Sequence, residues 1–155
     1  MIVYRLAARE YIEDLSGTGA KLFGGRWNPV GNACIYTSSH CSLALLEKFV
    51  HANHKENMQR IALLRLEIPD DDSLIFHTDT KLLKSSWAED IAYTQWIGEQ
   101  VLSDAAVIAF SVPSAIVPGE RNYILNPRSK EFNKIKIASI SDFETDFRLL
   151  SKLLT

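Results

Sequence analysis

Three short segments of this chain carry side chains whose placement is odd for packing alone. The first surrounds Glu47. A helix expected from about His40 to Ala52 presents Leu43, Leu46 and Val50 at core-facing spacing. Glu47 falls inside that stripe, four residues after Leu43 and three before Val50. A carboxylate held there is partly desolvated and needs a partner or a hydrogen bond. The same residue also suits a rim position, pointing into water. The second segment is Gly24-Gly25-Arg26-Trp27-Asn28-Pro29. Two glycines ahead of an arginine let the backbone approach a ligand closely. The guanidinium is a planar fork for phosphate or carboxylate. A loop arginine paired with an acidic neighbour, with Trp27 as core filler, fits equally well. The segment is neither G-x-G-x-x-G nor a Walker loop, so the nucleotide folds built on those motifs gain no support. The third is Ser114, just past an expected strand end, where side chains often reach a site. A turn or cap serine is the alternative. No G-x-S-x-G elbow surrounds it, and it is not read as a nucleophile.

Glu47, His51 and His54 would share one helix face at i, i+4 and i+7, a two-histidine, one-carboxylate set that suits a divalent ion. Histidines in the last turns of a helix are also favoured by its dipole while facing water, and no metal site is expected. Cys34 and Cys41 lack C-x-x-C spacing and a second cysteine pair, so both are expected as free thiols.

Several elements must position these groups. Ile2 to Leu6 reads as a strand. Ser16 to Gly25 reads as a glycine-punctuated loop with a short turn over Ala20 to Phe23. Ala33 to Thr37 is β-rich, and Ser38 and Ser39 offer N-caps for the helix that follows. Ile61 to Ile68 reads as a strand ended by Pro69, and Asp70 to Asp72 as a solvated turn. Ser86-Trp87-Ala88-Glu89 has the pattern of a capping box opening a helix to about Ser103. Ala106 to Val112, Tyr123 to Leu125 and Ile135 to Ile140 read as further strands. The tail from Asp142 to Thr155 is open between a terminal helix and loop, with Phe147, Leu149, Leu150, Leu153 and Leu154 as its apolar side chains. Strands and helices are interspersed without a regular βαβ order. The expected class is α+β, with a mixed or mainly antiparallel sheet and flanking helices.

Composition narrows the function. The 155 residues are 46% hydrophobic and carry 17 Lys and Arg against 19 Asp and Glu, for a net charge of −2. That profile suits one domain over 1–155. At this length roughly two-thirds of the unfolded surface can be buried, so no disulfide or metal staple is needed. Global disorder is excluded, and the charge balance argues against direct nucleic-acid binding. No apolar run approaches the ~20 residues of a membrane span. The N-terminal residues lack a signal-peptide layout, so a cytoplasmic location is expected.

Taken together, Gly24 to Pro29, Tyr36-Thr37-Ser38, Leu43 to Glu47, Val112-Pro113-Ser114 and Asn122 to Pro127 resemble the RES-domain family over about Tyr4 to Leu150. The Arg, Glu and Ser that name that family match Arg26, Glu47 and Ser114. Ser129-Lys130 departs from the His-Pro that many members carry there. The resemblance implies a fold similar to ADP-ribosyltransferase toxins. It implies a bacterial type II toxin that degrades NAD as its substrate, by hydrolysis or phosphorolysis, with no resident cofactor. ADP-ribosylation of a protein is the alternative. It further implies a cognate Xre-like antitoxin as partner. It also implies a toxin homodimer as the basis of that complex. On this reading Glu47 stabilises the ribose cation and Arg26 binds a phosphate or fixes Glu47. Tyr36 stacks on nicotinamide or ribose, and Ser114 and Asn126 position by hydrogen bonds. Lys21, Arg26 and Arg128 are the candidates for a second anion pocket. The competing classes are a non-enzymatic binding module and a metal-dependent hydrolase on Glu47, His51 and His54.

Overall fold

The computed structural model describes residues 1–153. Seven strands form one sheet: β1 (Ile2–Ala8), β2 (Ile35–Ser38), β3 (Ile61–Glu67), β4 (Ile75–His77), β5 (Ala109–Pro113), β6 (Arg121–Leu125) and β7 (Lys136–Phe143). Their order is β4-β5-β6-β2-β1-β3-β7. Only the edge pair β4–β5 is parallel; the other pairings are antiparallel. The helices are α1 (Thr18–Phe23), α2 (Cys41–His51), α3 (Ile91–Leu102) and α4 (Phe147–Leu150). The class is α+β with a mixed, mainly antiparallel sheet, as expected.

The sheet consists of two halves joined at a narrow seam. β1 and β3 pair over seven residues, and β2 and β6 over four. β1 and β2 meet only at Tyr4 and Ser38. Alternation along the strands divides the apolar side chains between two faces. Val3, Ile35, Leu64, Leu66, Ala109 and Leu125 share one continuous core that runs across the seam. On the other face the core is divided. Trp27, Phe110, Val112 and Ile124 pack with Leu102 of α3. Leu6, Ile61, Leu63 and Met58 pack with Leu45 and Phe49 of α2. The seam lies between these two clusters, where a cleft can open without breaching the shared core.

Several local expectations are corrected. Ser38 and Ser39 do not cap α2. Ser38 is the last residue of β2, and the extended His40 precedes the helix without a side-chain cap. The Ser86–Glu89 capping box is absent; Trp87–Glu89 is a 3-10 turn. Asp90 caps α3 instead, accepting from the Tyr93 amide. Leu46 and Val50 are exposed, so the buried face of α2 is Leu43 and Ala44 rather than the expected stripe. α2 ends at His51, and Ala52 is extended. His54 therefore does not share a helix face with Glu47. The strand expected from Ala106 begins at Ala109, while β6 gains Arg121 and Asn122. Of the tail, Asp142 and Phe143 complete β7, and a short helix spans Phe147–Leu150. Leu154 lies outside the described residues.

Candidate active site

Above the seam lies a cleft of about 670 Å³, within the range of small-molecule and cofactor sites. α2 contributes Glu47, Lys48 and His51 to its wall. The Gly24 to Trp27 loop contributes Arg26, β1 contributes Tyr4 and Arg5, and β2 and β6 contribute Tyr36, Ser38 and Asn122. A larger hollow of about 910 Å³ lies elsewhere, between Arg60, Asp142 and Leu150. It holds none of the candidate site residues read from the sequence.

Glu47 is half-buried and held through one oxygen. Its Oε1 accepts from Asn122 Nδ2 at 2.7 Å and from Ser114 Oγ at 3.2 Å. Among the described residues Oε2 has no hydrogen-bond partner. Ser114 stands directly after β5, and its Oγ accepts from the amides of Ile116 and Val117, each at 3.0 Å. With those two bonds taken, its proton is directed to Glu47. This makes Ser114 a fixed donor, in keeping with the sequence reading that it is no nucleophile.

Arg26 sits on a rigid loop. Its Nη1 donates to the Ala88 carbonyl at 2.6 Å, and the guanidinium lies 6.0 Å from the centre of the Trp87 ring. From α3, Thr94 Oγ1 donates to the Arg26 carbonyl and Gln95 Nε2 to the Gly25 carbonyl, the latter at 2.9 Å. The glycines serve this packing: a Cβ on Gly25 would lie 2.6 Å from the Tyr36 hydroxyl. Among the described residues no ion pair joins Arg26 to Glu47, so Arg26 does not fix the carboxylate directly.

Tyr36 lines the cleft, and its hydroxyl is committed. It accepts from the Trp27 amide at 2.9 Å and donates to Asn28 Oδ1 at 2.6 Å. Asn28 is fully buried and donates to the carbonyls of Ala20 and Asn32. Tyr36 thus pins the loop that bears Arg26, and burial raises its phenol above the ordinary tyrosine range.

The structure does not bring the remaining candidates to the cleft wall. Asn126 is buried at the far end of β6, donating to the carbonyls of Asp104 and Val107. Arg128 donates to the Leu102 carbonyl. Lys21 lies on α1. The cations that do line the cleft include two that sequence reading missed, Arg5 and Lys48. Burial, then the nearby Arg5 charge, pulls the Lys48 ammonium below its ordinary range. Burial also lowers Arg5, with Asp14 opposing. Among the described residues neither makes a salt bridge. Among the described residues, Arg5, Arg26 and Lys48 line this cleft with Glu47 as its one carboxylate. That balance favours an anionic ligand. Asn122, which entered only within the Asn122 to Pro127 motif, was also missed as a site residue.

The RES domain model matches residues 2–148. The chain belongs to the RES domain family. It is 42% identical over 154 residues to "Toxin Res" of Photorhabdus laumondii, covering 97% of each chain. It is 36% identical over 149 residues to "Prs ADP-ribosylating toxin" of a Sphingobium species, covering 94% of this chain and 92% of that one. Among solved structures, the M. tuberculosis MbcT–MbcA toxin–antitoxin complex contains a chain of similar fold. That likeness has a TM-score of 0.75 at 20% identity, over 98% of this chain and 87% of that one.

Proposed function

We propose that this RES protein is the toxin of a toxin–antitoxin pair and breaks the nicotinamide–ribose bond of NAD. Its relatives' names and the toxin–antitoxin complex of similar fold support the toxin role. The observation that carries the chemistry is Glu47, tethered by one oxygen in a cleft whose wall also carries Arg5, Arg26 and Lys48. Nicotinamide in NAD is a pyridinium. It departs as a neutral molecule, taking the electrons of the C–N bond, and needs no general acid. An ordinary glycosidase, by contrast, uses a pair of carboxylates. What remains is to stabilise the ribose cation and hold the pyrophosphate. Glu47 Oε2 accepts from a ribose hydroxyl and faces the developing positive charge. Arg26, Arg5 and Lys48 hold the phosphates. Water or phosphate then adds to the sugar carbon and loses a proton.

An antitoxin that covers the cleft neutralises this activity, and both proteins act in the cytoplasm. Glu47→Gln keeps the shape and removes the charge. In purified protein it is expected to slow NAD loss by about 100-fold or more; undiminished turnover would rule out the role of Glu47. The relative named as an ADP-ribosylating toxin favours a second reading, transfer of ADP-ribose to a protein. Mass analysis of cell proteins after induction separates the two. A transferase leaves a fixed adduct on a defined protein, and an NAD-degrading enzyme leaves free ADP-ribose or its phosphate.

A further inference from the structure

We propose that Asn122 and Ser38 form a positioning relay that selects which oxygen of Glu47 meets the substrate; this rests on the role of Glu47 given above. An ionised carboxylate only accepts hydrogen bonds. Asn122 must therefore turn its NH2 towards Glu47, where Nδ2 donates at 2.7 Å. Its carbonyl end is left facing β2, and there Ser38 Oγ donates to Oδ1 at 2.7 Å. Ser38 is 3% exposed, so water does not readily replace that donor. The serine thus fixes the amide and the amide fixes the acid. The terminal torsion of a glutamate is broad and nearly two-fold. Two donors on Oε1 remove that freedom and leave Oε2 for a ligand.

The relay is anchored at the seam. Ser38 is the β2 residue that pairs with β1, opposite Tyr4. Asn122 is its partner across β2–β6. A displacement of the two half-sheets at this point passes through Asn122 to Glu47 on α2.

Asn122→Asp tests the relay. At alkaline pH it sets one carboxylate against another, and Glu47 is pushed off its position. The kcat for NAD cleavage is expected to fall about 100-fold, with KM held within about threefold. On acidification the pair shares one proton, and the O–H of the new acid donates where the amide did. Its deficit relative to the unsubstituted protein should narrow about tenfold between about pH 8.5 and about pH 5.5. Arg5, Arg26, Lys48 and His51 face the same cleft in both proteins, so the two are compared as a ratio at each pH. Ser38→Ala is expected to lose about tenfold in kcat, and Ser38→Thr, which keeps the hydroxyl, to restore most of it. A deficit of Asn122→Asp that is the same at every pH overturns the relay, as does full activity of Ser38→Ala. NMR gives a readout independent of NAD: the Asn122 side-chain amide resonances should move in Glu47→Gln and in Ser38→Ala. If the unsubstituted chain leaves NAD intact, the proposed function fails and the NMR arm alone decides. Unmoved resonances then overturn the relay.

Discussion

One nitrogen of Arg26 is spent on the Ala88 carbonyl, and the guanidinium lies over the Trp87 ring. The rest of the fork is available to an anion. A lysine reaches the same region as a point charge, without the fork and with a poorer stack. Arg26→Lys is expected to raise KM for NAD about tenfold with a smaller change in kcat, measured by steady-state NAD consumption. Tyr36→Phe deletes the hydroxyl that joins the Trp27 amide to Asn28. It leaves both groups unsatisfied beneath the loop and should cost about 1–3 kcal/mol in denaturant unfolding. At this scale the sequence was partly legible. Arg26, Glu47 and Ser114 stood out by type and setting; Arg26 and Glu47 line the cleft, and Ser114 hydrogen-bonds to Glu47. The argument for Glu47 from its apolar stripe did not survive, because Leu46 and Val50 are exposed. The role of Asn122 could not be read from its motif, since its bond to Glu47 spans 75 residues of chain and depends on strand register.

Among the elements, α3 does the most to hold the arginine loop. It packs so closely that a Cβ on Gly98 would lie 1.5 Å from the Trp27 carbonyl oxygen. Gly98→Ala must therefore push helix and loop apart. The expected result is a loss of about 3 kcal/mol in stability and, because Thr94 and Gln95 hold the Arg26 loop, weaker NAD binding in the protein that remains folded. Calorimetry and an NAD titration measure the two effects. Most elements were visible as periodic or β-rich runs, whereas their ends were not. Ser86 and Glu89 have the spacing of a capping box, but the chain makes a 3-10 turn there and Asp90 caps the helix in their place. Ser38 resembled a cap for α2 because nothing local marks it as the end of a strand at the seam.

For the molecule as a whole, buried groups set the alkaline limit. Burial pushes the Cys34 thiol up to about 12, against an ordinary value of 9.0. Tyr36 is raised too. The unfolded chain releases these protons at lower pH than the folded one. Stability is thus fully present below about pH 9 and falls as pH rises towards about 12. Denaturant midpoints followed across that window should decline, and Cys34→Ala should flatten the first part of the decline. The α+β class was legible from interspersed strands and helices. The narrow seam between half-sheets was not, because no residue pattern marks where two strands meet at a single pair.

Trp87 lies against the Arg26 guanidinium at 6.0 Å and beside Trp27, whose ring centre is 5.8 Å away. An indole so close to a cation that would receive an incoming anion is a built-in optical gauge. Its emission should change as the cleft fills, before any bond is broken. Trp96 is 60% exposed and adds a solvent-quenched background. Replacing Trp96 with phenylalanine would leave a label-free fluorimeter for occupancy, able to follow inhibitors and a neutralising partner in real time.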